Sequence, residues 1–499
     1  MYSESSSSSE TTTTVTTNDI STSTTSISEV EQDLEKSVGK RRSLKVVSAD
    51  GSSSSLEDRF ESETVLSCFW ESIVPLTLAG CGQVSTGLYL DYVNDCQFFL
   101  RIPQAIALIT PLLNLKGNLE MNYASRIATY CHTGLVRTNK ELMHLGCINH
   151  GLSQSQSISA SFIIAILCIL INYGVITFNN SVIFVASAIT TASLASFSIE
   201  TFLLFVIIVA RLFRMNPDNV ATPIAATVGD ISTLFFYVCL GSIFVKLCPT
   251  KFCFWSPSAI IVSLVLIPFY VRLASSHPST KRALIAGWIP LIVASIISGG
   301  GGYILHHVHD IYDGYSLLQP LIVGLIGNMC GIQSSRISSQ LHVYHRKKEL
   351  ARKTYPRRTF LATLNPVATF FRDGIHSKVA IMMIAVALPT QLIFAVAVLF
   401  IGGRSYLVGF AFCILYALCV LFLITLFMYL CQVFVHLLWR SGHDPDYSAI
   451  PLLTALCDFV GSFLLFGVFW VMKRIDASFF SHQLTTVSTN FTTSPTMLF

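Results

Sequence analysis

The chain has 499 residues, with 32 Lys and Arg against 28 Asp and Glu, a formal net charge of +4, 52% hydrophobic residues and only 12% charged ones. A soluble domain carries about 25% charge, so this composition excludes a soluble globular protein and calls for repeated apolar runs of about 20 residues, each long enough to cross a bilayer. So small a net charge gives no footprint for nucleic acid, and the 14 scattered cysteines read as small core residues rather than a disulfide or zinc framework, Cys248 and Cys253 being the one pair placed to bridge.

Residues 1–63 are rich in Ser, Thr and Glu and poor in aromatics, a composition that cannot bury a core and is expected to be disordered and cytosolic. They contain no apolar signal-peptide segment. The basic run Gly39 to Lys45 reads as a solvated patch, with lipid contact or a phosphosite as the alternative. Eleven spans follow, at about 64–91, 103–130, 158–177, 183–212, 219–246, 256–274, 285–305, 317–341, 378–401, 405–439 and 447–472, and then a Ser/Thr-rich tail over 476–499. The expected fold is an all-α polytopic membrane protein.

Within it one stretch occurs twice. Pro217, Asp218, Pro223 and Asp230 recur in register as Pro445, Asp446, Pro451 and Asp458, and serines follow, Ser232 in one copy and Ser462 in the other. PLLNLKGNLEMNYASR, starting at Pro111, resembles PLIVGLIGNMCGIQSSR, starting at Pro320; Gly117, Asn118 and Arg126 correspond to Gly327, Asn328 and Arg336. Gly87 and Gly302 extend the match weakly. Spans one to five therefore recur as seven to eleven, dividing the chain into a first five-helix repeat (64–250), a linker helix (251–284) and a second repeat (285–475). Five crossings alone would invert the second repeat, and the sixth restores it. The repeats are expected to be parallel about an axis along the membrane normal.

Lys and Arg concentrate in the loops after even-numbered spans, above all over 346–358, which places those loops and the N-terminus in the cytosol. The two Asn-x-Ser/Thr sequons, Asn179 and Asn490, fall on the opposite face, where glycosylation occurs, with the C-terminus extracellular and the plasma membrane as the expected location.

Asp230 and Asp458 carry the chemistry. Each lies twelve residues beyond an earlier aspartate, roughly 18 Å of helix, near the midplane of a core about 30 Å thick. Each ionised carboxylate there costs about 2.5–3.5 kcal/mol, and two facing each other repel. A divalent cation shared between them relieves both penalties, and oxygen donors suit a hard ion such as Mg²⁺ that keeps several waters. Protonation, or a bond to a kinked backbone, is the alternative. Asn114, Asn118, Asn122 and Asn328 offer amide oxygens if the Gly-Asn segments are broken helices lining a cavity; otherwise they bond neighbouring helices. Glu120 is a further acid, matched by Cys330, and Lys116 either snorkels or pairs with it. Asp218 and Asp446 read as helix caps beside proline, with the cytosolic mouth of an ion pathway as the other reading. Glu200 pairs with a cation or faces a polar cavity. His306, His307, His309, Asp310 and Asp313 form a polar loop, with a transition-metal site as the alternative. There is no nucleophile elbow, phosphate loop or HExxH, so neither an enzyme nor an ATP-driven pump is expected.

At PLLNLKGNLEMNYASR and NPDNVATPIAATVGD the chain resembles solute carrier family 41, eukaryotic magnesium transporters related to the bacterial MgtE channels. The resemblance covers about residues 64–475. It implies two fused MgtE-like five-helix units in a monomer that is an internal pseudo-dimer, a Mg²⁺-site aspartate at Asp230 and at Asp458, lipid and the transported cation as partners, and Na⁺ as an exchanged counter-ion. Departures are Cys457 before Asp458 where Gly229 precedes Asp230, and Cys330 in place of an acid. The expectation is a magnesium transporter. A Zn²⁺ or Mn²⁺ transporter using Cys457 and the histidines, or a non-transporting scaffold, are the alternatives.

Overall fold

The computed structural model describes residues 65–132, 138–172, 175–212, 217–249, 254–348, 364–371, 375–443 and 445–475. The tails, Asn490, Cys253 and most of the basic 346–358 segment lie outside them. In order the helices are α1 (Val65–Val93), α2 (Gln97–Arg101), α3 (Ile109–His132), α4 (Asn139–Ile171), α5 (Phe178–Leu212), α6 (Pro217–Leu247), α7 (Trp255–Ala274), α8 (Pro278–Val308), α9 (Tyr315–Lys348), α10 (Pro366–Phe371), α11 (Ile375–Ile401), α12 (Phe410–Arg440) and α13 (Pro445–Ile475). A 3₁₀ turn, Pro103–Leu108, leads into α3, and among the described residues there is no strand.

Local chemistry fixes the helix ends. Thr138 and Glu141 form a reciprocal capping box at the start of α4. Pro217, Pro278 and Pro445 each open a helix, where a missing N–H leaves no bond unmade. Gly442, with φ +84°, ends α12 in the left-handed conformation that a side chain disfavours.

The protein is a multi-pass membrane protein. Among the described residues, ten helices are long and apolar enough to cross a bilayer, against eleven expected. The remaining one is α3, whose 24 residues include Lys116, Glu120 and Arg126. It is packed by α4, α5, α6, α8 and α13 rather than facing lipid, so protein supplies the partners that lipid cannot. The expectation of broken helices at the Gly-Asn pairs is corrected: α3 and α9 run unbroken through Gly117-Asn118 and Gly327-Asn328. Intrahelical bonds satisfy the backbone there, and the irregular stretch lies earlier, over 97–108.

Helices at matching places in the two sequence repeats meet matching neighbours. α1 packs on α6, as α8 packs on α13; α3 on α6, as α9 on α13; α5 on α6, as α12 on α13. The pairing also crosses between halves: α1 lies on α9 and α11, and α8 lies on α3 and α4. A Cβ on Gly87 would overlap the Leu317 carbonyl, and one on Gly302 would overlap the Ala107 carbonyl. Each of these glycines lets a helix of one half seat directly on backbone of the other. The linker α7 lies outside this arrangement, against α4 and α5.

Cys248 is disulfide-bonded, while Cys330, Cys419, Cys431 and Cys457 are buried thiols. On the side where α1 ends, Arg404 bridges Asp91 at 2.7 Å and Asp313 at 2.6 Å, tying α1 to the loops before α9 and α12. Tyr406 donates to Asp313, and burial, then that bond, raises its phenol above the ordinary range.

Candidate ion-binding cavity

Asp230 and Asp458 stand at the same register in their helices, thirteen residues after the opening prolines Pro217 and Pro445. Both line one cavity of about 80 Å³ between the halves. A water needs roughly 10–15 Å³ measured this way, so the space accommodates an ion together with several waters. α3 contributes Asn114, Gly117, Asn118 and Met121, and α9 contributes Gln319, Gly324, Gly327 and Asn328. No heavy atom lies within 4 Å of a Cβ built on Gly117, so that glycine leaves the α3 wall open.

The carboxylates are held in parallel fashion. Gln83 Nε2 donates to Asp230 Oδ2 at 2.5 Å, and Ser298 Oγ donates to Asp458 Oδ2 at 2.5 Å. Gln83 and Ser298 are 215 residues apart, the same separation as Gly87 and Gly302, so equivalent helices, α1 and α8, support equivalent acids. Asp458 has a second side-chain hydrogen bond, to Asn114. Beside the acids, Asn118 Nδ2 donates to Asn114 Oδ1 at 2.9 Å and to Thr454 Oγ1 at 3.3 Å. Asn118 lines the cavity, and its Oδ1 is buried and receives no donor.

Near the starts of α3 and α9 the cavity meets a cross-brace. Gln319 Nε2 donates to Ser462 Oγ at 3.0 Å and to Thr110 Oγ1 at 3.4 Å, and the Tyr315 hydroxyl donates to the Ser462 carbonyl at 2.8 Å. Ser462 is thus outside the lining and bonded to Gln319, which is part of it.

Other candidates lie elsewhere. Glu120 does not line the cavity; one carboxylate oxygen is 3.2 Å from Lys116 Nζ, and the other lies where a Cβ on Gly229 would be. Lys116 is buried and bonds Ser196, so it pairs rather than snorkels. Glu200 is buried and bonded to His150 Nδ1 at 2.7 Å. Asn122 lines a second, smaller pocket with Arg126, Gln156 and Tyr447. Ser232 is half-buried on α6 and outside the lining. Asp218 and Asp446 stand at the second positions of α6 and α13, and their side chains are not among those described. Asn179 lies half-buried in the first turn of α5. His306 and His309 stack at 6.2 Å, but among the described residues no group of three His, Cys, Asp or Glu is arranged to hold a metal ion. Sequence reasoning missed Gln83, Ser298, Thr454 and Gln319; the 215-residue separation already visible in Gly87 and Gly302 pointed at the first two.

Comparison with known proteins agrees on one class. The family model described as MgtE, divalent cation transporter, matches residues 109–240 and again 319–468. Solute carrier family 41 member 2 of Xenopus laevis is 32% identical over 448 residues, covering 86% of this chain and 77% of its own. The human member 2 is 33% identical over 413 residues, covering 81% and 71%. Solute carrier family 41 member 3 of Rattus norvegicus is 31% identical over 423 residues, covering 82% and 89%. No solved structure matches the chain significantly.

Proposed function

Because the chain belongs to solute carrier family 41, within the MgtE-type divalent cation transporters, we propose that it carries Mg²⁺ across the membrane through the cavity between its halves, held there by Asp230 and Asp458. The observation that carries this reading is the convergence of the two duplicated aspartates on one cavity. Two uncompensated carboxylates would each cost about 2.5–3.5 kcal/mol at that depth, and a divalent ion offsets both. Asn118 and Asn328 complete the shell with waters, and the unpartnered Asn118 Oδ1 supports that role. Gln83 and Ser298 orient the acids, as outer partners do at metal sites generally.

The lining favours Mg²⁺ over thiophilic ions. It includes neither Cys nor His, and Cys457 Sγ turns away, donating to the Val323 carbonyl at 3.7 Å. Oxygen donors alone select a hard cation.

In this reading the chain is two parallel five-helix repeats, 64–250 and 285–475, joined by the 251–284 linker; the twofold family match and the equivalent helix contacts support it. The N-terminus is cytosolic and the protein works at the plasma membrane as a monomer with an internal pseudo-dimer. The Gln319 brace then closes the non-cytosolic end, and Asp218 and Asp446 flank the cytosolic mouth.

Proteoliposomes holding the purified protein test the site: Mg²⁺ flux is expected to fall on the order of 100-fold in Asp230→Asn and in Asp458→Asn, and flux at the wild-type rate in both variants removes it. Exchange against Na⁺ is the finer reading. A rate indifferent to an imposed Na⁺ gradient removes that part alone.

A further inference from the structure

The first half has a buried charge pair beside the ion cavity that the second half lacks. Lys116 and Glu120 are both fully buried, one helical turn apart on α3, with Lys116 Nζ 3.2 Å from Glu120 Oε1. Lys116 also donates to Ser196, which in turn donates to Ser157 at 3.1 Å. These hydroxyls fix the ammonium from the α5 and α4 side. Glu120 Oε2 rests against Gly229, the residue immediately before Asp230, and receives no hydrogen bond. The glutamate therefore sits between a tethered cation and the backbone that carries one of the two acids of the cavity.

Packing does not account for the pair. The corresponding residues of α9 are Ile326 and Cys330, and α9 is an unbroken helix with the same neighbours in its own half. A buried ion pair is commonly replaced by apolar residues with no loss of stability. Nor does symmetry require it, since Asp230 and Asp458 are held alike without it. What the pair does supply is charge. Glu120 alone would add a third anion next to Asp230, and Lys116 cancels it.

We infer that Lys116 is a built-in counter-cation that sets the charge the transported ion meets, making the Lys116–Glu120 pair a determinant of divalent-ion affinity and release. This rests on the reading of Asp230 and Asp458 as the ion site. With the pair intact, the site presents two negative charges to a doubly charged ion. Removing Lys116 would leave Glu120 unpaired, a third negative charge wherever it stays ionised, and would hold the ion more tightly. Removing Glu120 would leave an uncompensated cation beside Asp230 and weaken capture. Lys116 touches neither the ion nor Asp230, so it acts through Glu120.

The test measures Mg²⁺ affinity of the purified full chain by calorimetry, and Mg²⁺ flux in proteoliposomes, for Lys116→Met, Glu120→Gln and the double variant. Lys116→Met is expected to tighten Mg²⁺ binding on the order of tenfold and to slow flux; Glu120→Gln is expected to weaken binding by a similar factor. The double variant returns affinity to within roughly threefold of the original. Should Lys116→Met fail to fold, the opposite shift in Glu120→Gln and its reversal in the double variant still decide the matter. Unchanged affinity in Glu120→Gln and in the double variant, with only thermal stability lowered, would show a structural staple and overturn the inference. Asp230→Asn serves as the reference: if it abolishes binding while the pair variants leave affinity alone, this inference fails and the ion site stands; if it too leaves binding unaltered, the site itself is wrong.

Discussion

The two halves agree at the acids that face the cavity and differ behind them. In front, Asp230 with Gln83 answers Asp458 with Ser298, and Asn118 answers Asn328. Behind, the first half carries Lys116, Glu120, Ser196 and the Glu200–His150 pair. The second carries buried thiols: Cys431 Sγ donates to the Cys330 carbonyl at 3.5 Å, and Cys457 replaces Gly229. On the proposed function, residues placed to share one ion answer to one chemistry from both sides. Residues behind them answer only to their own half, so the first has a charge pair and hydroxyls, and the second has thiols and the neutral Tyr416–Gln391 bond.

Four experiments bear on this comparison. The largest effect is expected at the front. Asp230→Asn and Asp458→Asn should each lower Mg²⁺ flux on the order of 100-fold, by similar factors; a loss confined to one would break the equivalence of the two acids. Next, Gly87→Ala and Gly302→Ala each push a methyl into a carbonyl that cannot turn aside, and each should destabilise by roughly 1–3 kcal/mol, read as thermal melting in detergent. A large shift in one and none in the other would show that the two crossings are not equivalent. Gln83→Leu and Ser298→Ala remove a donor to a carboxylate, worth roughly 1.5–3 kcal/mol, and should weaken Mg²⁺ binding about tenfold or more. The smallest effect belongs to the back of the second half. Cys431→Ala should shift stability by under about 1 kcal/mol and leave Mg²⁺ affinity as it is; a marked loss of affinity would place the thiols in the ion site.

Much of this was legible in the sequence, for a definite reason. A carboxylate inside an apolar run is costly enough to stand out, and its exact duplication made Asp230 and Asp458 readable before any coordinates. The Gly-Asn segments were readable as part of the cavity wall, but not as unbroken helix, because glycine and proline mark both helix breaks and close helix packing. Gln83 and Ser298 were hidden because unlike residues fill equivalent places, and a serine or glutamine in a span is unremarkable by itself. Glu200 and Asn122 illustrate the converse: polar residues in spans drew attention, yet each is occupied away from the main cavity, with His150 and in the smaller pocket. Lys116 was visible as an anomaly, and only its position against Glu120 and Ser196 gave it a partner.

The reciprocal seating of Gly87 on Leu317 and Gly302 on Ala107 bears on synthesis. α1 reaches the bilayer more than two hundred residues before the backbone it rests on has been translated, so the first half must wait in the lipid with an open flank. A nascent chain interrupted before α9 would strand that flank, together with an acid whose counterpart never arrives, and should be recognised by membrane quality control as an orphan rather than persist as a half-sized transporter.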